Sequence, residues 1–185
     1  MKKSIPFITF LFILITSCNS KPGPFEISKQ HIGALTDSTQ IKDLKTIFAQ
    51  DSVVKFSAGE TFANVRGSIE VFEKGGKKLL VLTPENDTDS LSVIESVQII
   101  DPRYKTNKNI TTLSTFKDIE TNYTISKIDN LINSIVVTVK EINASFVIDK
   151  KELPANLRFD RNLKFETTHI PDNAKIKYFF LNWNK

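Results

Sequence analysis

Few residues in this 185-residue chain could carry chemistry. It holds one cysteine, Cys18, and two histidines, His31 and His169. A thiol catalyst needs a lowered pKa and a partner base, and Cys18 stands alone. Neither histidine lies at a metal-ligand spacing from another ligand; each reads as a surface or loop residue. No Gly-x-Ser-x-Gly elbow occurs. Glu85, Asp87 and Asp89 crowd one loop and could offer oxygens to calcium. The glycine and distal glutamate of an EF-hand are missing there, so a solvated turn is expected. Carboxylates suffice in number for a two-carboxylate glycosidase, but the sequence has one tryptophan, Trp183, for a sugar platform. The reading is a non-catalytic protein with no cofactor and no metal.

Cys18 has another chemical context. Met1-Lys2-Lys3-Ser4 is a short positive segment. Ile5 to Ile15 is apolar except for Thr9, and Thr16 and Ser17 are small. This three-part layout is that of a secretory signal. The apolar run is about half of the ~20 residues a membrane-spanning helix needs, and Asn19, Ser20, Lys21, Pro22 and Gly23 follow it. The alternatives are a buried core helix or an uncleaved anchor. A core helix would show a polar face, which this run lacks.

Ile15-Thr16-Ser17-Cys18 resembles the lipobox of bacterial prolipoproteins. The resemblance implies diacylglycerol on the Cys18 thiol as a thioether, cleavage that removes residues 1–17, and acylation of the new N-terminus. Two or three acyl chains hold far more firmly than the marginal grip of one. With no second cysteine there is no intrachain disulfide, although an exported protein could form one. By the sorting rule of such proteins, Asn19 is not the aspartate that retains them in the inner membrane. No acidic cluster follows Cys18. The resemblance therefore implies an outer-membrane protein facing the periplasm.

The chain has 25 basic and 21 acidic residues. Lys2 and Lys3 leave with the leader, so the excess of positive charge shrinks. The remaining charges are interspersed, as in Lys150-Lys151-Glu152 and Lys42-Asp43, which is no concentrated basic face for nucleic acid. After the leader, 168 residues suit one domain. Residues 18–30 read as the lipidated cysteine and a flexible tether, with Pro22-Gly23-Pro24 blocking helix and sheet. Residues 31–185 read as a single domain.

Within it, residues 36–50 are expected to form a helix. Thr36, Asp37 and Ser38 offer caps, and Ile41, Leu44, Ile47 and Phe48 recur at helical spacing. Val53 to Phe56 reads as a strand. Ser68 to Glu73 and Lys77 to Thr83 read as a hairpin turned by Gly75-Gly76. In the next strand Val93, Glu95, Val97 and Ile99 share one face and Ser92, Ile94, Ser96 and Gln98 the other; Asp101-Pro102 ends it. A second helix begins at Ser114 to Glu120, capped by Ser114 or Thr115. Further strands are expected at Ser134 to Lys140, Ile142 to Ile148, Leu163 to Thr167 and Ala174 to Trp183. In the last, Ile176, Tyr178 and Phe180 lie on one face and Lys175, Lys177, Phe179 and Leu181 on the other. Lys150 to Leu157 reads as a helical turn, shortened by Pro154.

Ile41-Lys42-Asp43-Leu44 is echoed by Phe116-Lys117-Asp118-Ile119, and Thr46 and Phe48 by Thr121 and Tyr123. Two similar helix-then-strands units are therefore expected. The fold class is α+β: a twisted antiparallel sheet with two or three short helices on one face.

The functional expectation is a binding or scaffolding module held to the membrane by acyl chains on Cys18 and acting on another envelope protein. A helix followed by strands loosely resembles small outer-membrane lipoproteins that accompany barrel assembly. The stretch from Glu152 to Lys175 resembles uncharacterised envelope lipoproteins of bacteria with Lys- and Asn-rich proteins. The alternative is a small-molecule or lipid-binding module, or a hydrolase, with some of the eleven phenylalanines beyond the leader lining an apolar cavity.

Overall fold

The computed structural model describes residues 22–57 and 67–183. The leader, the lipobox and Cys18 lie outside them. Twelve strands are present among the described residues: β1 (Glu26–Ile27), β2 (His31–Ile32), β3 (Leu35–Thr36), β4 (Ser52–Phe56), β5 (Ser68–Phe72), β6 (Lys78–Pro84), β7 (Ile94–Ile99), β8 (Lys105–Thr106), β9 (Lys127–Asn130), β10 (Ser134–Val139), β11 (Ala144–Asp149) and β12 (Ile176–Asn182). Two short helices join them, α1 (Leu44–Ile47) and α2 (Phe116–Asn122). The fold is sheet-rich.

The large sheet has eight antiparallel strands in the order β4-β5-β6-β7-β12-β11-β10-β9. The small sheet, β3-β2-β1-β8, was not foreseen; it has two-residue strands and one parallel pair, β1 with β8. Strand alternation explains the core. Ile135, Val137 and Val139 of β10 and Ala144, Phe146 and Ile148 of β11 point one way and are buried. They share one core with Ile27, Ile32 and Leu35 of the small sheet and with Leu44, Phe116 and Ile119 of the helices.

The large sheet is two copies of one plan. Each half is a helix followed by a four-stranded meander, and the fourth strands, β7 and β12, meet in the middle. Gln98 faces Phe180; on either side Ile99 faces Phe179 and Val97 faces Leu181. A pseudo-two-fold axis through the Gln98–Phe180 pair exchanges Ile94 with Ile176, Val97 with Phe179 and Ile99 with Leu181, all six buried. The register slips at equivalent places, between Thr83 and Pro84 in β6 and between Val147 and Ile148 in β11. The helices dock alike. Ile41 and Lys42 donate to the carbonyls of Ser92 and Ser90, and Phe116 and Lys117 to those of Ala174 and Asp172. Each helix closes the same way, Phe48 N–H on Leu44 and Tyr123 N–H on Ile119.

Several expectations need correction. The helix over 36–50 contracts to α1 and a preceding 3-10 turn at Ile41–Asp43. Thr36 belongs to β3, and its N–H donates to the Thr39 hydroxyl, which turns the chain before a helix can start. Residues 25–27, expected within a flexible tether over 18–30, are part of the fold: Glu26 and Ile27 pair with Lys105 and Thr106, Ile27 is buried, and Phe25 packs edge-on against Tyr104. Leu163 to Thr167 is not a strand. The Asn130 carboxamide takes up the carbonyls of Asp160 and Leu163, so this backbone is satisfied outside the sheet. Ile94 is buried rather than on the polar face of β7, and Ile176 is buried with Phe179 and Leu181, because the two register slips rotate the starts of both central strands. Tyr178 consequently points outward, 42% exposed.

The hairpin turn follows its chemistry. Gly75 and Gly76 adopt φ of 117° and 90°, which a side chain would strain.

Candidate functional site

The end of the large sheet that carries the β9–β10 turn holds a cleft of about 610 Å³. Its walls are the ends of adjacent strands and the long connection from β11 to β12. Ser134 faces Asp149 and Ile148 faces Ile176, so Asn133, Lys150 and Lys177 must come together. Arg158 and Phe159, from that connection, complete the wall. The Lys150 N–H donates to the Asn133 carbonyl, and the Arg158 Nε to the Leu153 carbonyl at 2.8 Å.

Charge is unbalanced there. Four cations, Lys150, Lys151, Arg158 and Lys177, face one carboxylate, Asp149. Asp149 is already engaged: it accepts the Lys151 N–H at 3.0 Å and pairs with Lys177 at 2.9 Å. The Lys151 N–H and then Lys177 hold its carboxyl below the usual range, and Asp149 in turn raises Lys177. Lys150 differs from the other cations. It is only 4% exposed, its Nζ has no hydrogen-bond partner, and the Nζ lies over the Phe165 ring, 5.9 Å from the centroid. An ammonium is costly to bury unpaired, and the Lys150 Nζ lies on the core side of the cleft, toward Phe165.

Beside the cleft, across Ile132 and Asn133, runs a second hollow that includes Leu131 and Arg161. Large apolar side chains stand out into solvent here: Phe159 is 87% exposed, Ile132 70% and Leu131 49%.

The residues singled out in the sequence lie elsewhere. His31 is on β2, its Nδ1 2.6 Å from the Ser28 hydroxyl and its Nε2 3.9 Å from Glu26. The Ser28–His31 contact spans one tight turn, and neither residue lines the cleft. The His169 Nδ1 accepts the Glu166 N–H. In the acidic loop, Asp89 accepts the Leu91 N–H and Asn86 caps Thr88. Among the described residues no group of three or more histidine, cysteine or acidic side chains is placed to hold a metal. None of their helices is long and apolar enough to cross a membrane.

The fold is similar to that of a solved structure, the crystal structure of the uncharacterized protein yfeY from Escherichia coli, with a TM-score of 0.54 at 15% identity, covering 85% of this chain and 99% of that one. At that identity the likeness concerns the fold alone. No family model matches the sequence, and no curated protein does.

The cleft residues left a trace in the sequence. Ala144, Phe146 and Ile148 alternate onto the core face, and one further step places Lys150 there. Read as part of Lys150-Lys151-Glu152, it passes for ordinary surface charge. Nothing local marks Arg158, which the long connection brings to the cleft, or Lys177, which reaches it through sheet register.

The same end of the sheet holds a second charged cluster with the opposite character. Asp101, its side chain inaccessible to solvent, pairs with Arg103 and Lys77, each at 2.9 Å, and Arg103 reaches Glu73 at 2.8 Å. Burial would raise the Asp101 carboxyl, but hydrogen bonds from the Arg103 side chain and N–H and from Lys77 outweigh it and hold it well below the carboxylate range. These charges are satisfied and bind the hairpin to the end of β7.

Proposed function

We propose that this chain is a lipid-anchored, non-catalytic binding module of the bacterial cell envelope, attached to the outer membrane on its periplasmic side through Cys18, and that the cleft around Lys150 is its binding site for an anionic group. The observation that carries the binding assignment is the excess of cations that line the cleft, Lys151, Arg158 and Lys177 beside the buried Lys150. Support for the anchor is the lipobox resemblance of Ile15-Thr16-Ser17-Cys18. Two measurements test the two parts. A fatty-acid analogue labels the wild-type chain in cells and not Cys18→Ser; labelling that survives the substitution removes the anchor. Inorganic phosphate raises the unfolding midpoint of the wild-type chain and leaves that of Lys151→Glu with Arg158→Glu unchanged; equal shifts in both remove the cleft assignment.

A protein partner is the second reading. Its support is β4, an outermost strand of the large sheet, paired only with β5 among the described residues, which leaves a backbone edge of the kind that β-strand addition uses. Crosslinking in membranes from Lys55 tests it; no adduct at Lys55 would remove it.

A further inference from the structure

We infer that the cleft and its apolar rim form a second membrane contact, which seats the end of the sheet on a bilayer of anionic phospholipid, with lipid phosphates in the Lys150 cleft and Phe159, Ile132 and Leu131 in the headgroup–acyl boundary. The inference rests on the proposed anchor and deepens the proposed anion site by naming its occupant.

Ile99 pairs with Phe179, so β7 ends level with the start of β12. Asp101 and Arg103 follow, and the Arg103 guanidinium lies over the Phe25 ring at 4.5 Å. Phe25, where the chain enters the domain, is thus at the same end of the sheet as Lys177 and the β9–β10 turn. From β7 to β10 is three strand spacings, about 15 Å. The seven residue steps from Cys18 to Phe25 span at most about 25 Å. An anchor at Cys18 therefore holds this end near the bilayer.

Exposed aromatic and branched side chains flanked by Lys and Arg are the pairing that suits the membrane interface. Phe159 is 87% exposed and Ile132 70%, and Lys151, Arg158, Arg161 and Lys177 line the same two hollows. Of the carboxylates nearby, Asp149 is paired with Lys177, and Asp160 accepts the N–H groups of Asn162 and Leu163. A monoanionic phosphate complements the positive charge of Lys151, Arg158 and Lys177.

The test uses the processed lipoprotein in vesicles, with Phe159→Trp as a depth reporter. Trp183, buried at the opposite end of β12 with its ring N–H on the Lys29 carbonyl, supplies a constant background measured in the parent protein. In phosphatidylglycerol vesicles the reporter emission shifts to the blue and is quenched by brominated acyl chains; in phosphatidylcholine it is not. Lys151→Glu with Arg158→Glu abolishes both effects. Solvent-like emission in both lipids, or an equal shift in both, overturns the inference. So does a blue shift caused by inorganic phosphate without vesicles, which assigns the cleft to a free anion. If Cys18 proves unlabelled by fatty acid, the anchor fails on its own terms, and the same reporter then reads the unanchored chain added to the same vesicles.

Discussion

The two halves of the large sheet are built alike, yet one end of the molecule treats their charges differently. In the first half, Asp101 gathers Arg103 and Lys77 and Arg103 gathers Glu73, so that each charge has an opposite within 2.9 Å. In the second half, Lys150 is buried with nothing to accept from it. The two clusters are not counterparts, because the pseudo-two-fold exchanges the ends of the sheet; what corresponds to the cleft's connection is the link between third and fourth strands of the first half, at the opposite end. From β6 to β7 it runs from residue 85 to 93, and from β11 to β12 from residue 150 to 175. The longer connection brings Lys150, Lys151, Arg158 and Phe159 to the sheet end. A shared scaffold thus holds the shape, and one extended loop adds the cleft.

The comparison can be broken at the axis, where the expected effects are largest. Phe179→Ala empties a fully buried site and should cost about 3–5 kcal/mol, while Val97→Ala at the equivalent place should cost about 2 kcal/mol. Because β7 and β12 are paired, both variants should unfold in one transition by far-ultraviolet circular dichroism and by Trp183 fluorescence. Two separate transitions would mean that the halves are independent units.

The charged clusters differ next. The Asp101 carboxyl is depressed in the folded state, so its contribution is present above the unfolded value near about 4 and lost as pH falls below it. Asp149 is depressed in the same sense but by fewer contacts. Denaturant midpoints measured from neutral pH downward should fall for the wild type, and Asp101→Asn should flatten that fall more than Asp149→Asn. Equal flattening would place the two carboxylates on the same footing.

The helix starts give the smallest effect. In α2, Asp118 accepts from both the N–H and the hydroxyl of Thr115; Gln40, the counterpart ahead of α1, makes no side-chain cap. Thr115→Ala should cost about 1 kcal/mol and Gln40→Ala under about 0.5 kcal/mol, read from thermal unfolding. The reverse order would show that the two helices are held by different means.

How much was legible follows from the range of each signal. The Gly75-Gly76 hairpin and the alternation of β10 and β11 are local, and the residues announce them. The helical echo between Ile41-Lys42-Asp43-Leu44 and Phe116-Lys117-Asp118-Ile119 also survives as a pair of helix starts docked by the same backbone bonds. The small sheet was hidden because two-residue strands have no period to detect. Thr36 was read as a helix cap because its hydrogen bond to Thr39 belongs to a turn that uses the same residue types. The cleft was illegible for a different reason: Asn133, Lys150 and Lys177 are distant in sequence and meet only through the register of β10, β11 and β12.

The central claim is that one corner of this sheet end, and not the whole end, meets anionic lipid. Amide hydrogen exchange on the lipoprotein in phosphatidylglycerol and in phosphatidylcholine vesicles tests it directly. Added protection in phosphatidylglycerol at residues 131–133 and 158–161, with none at the 73–77 hairpin of the same end, is the predicted result. Equal protection in both lipids, or protection spread over both corners, would contradict it.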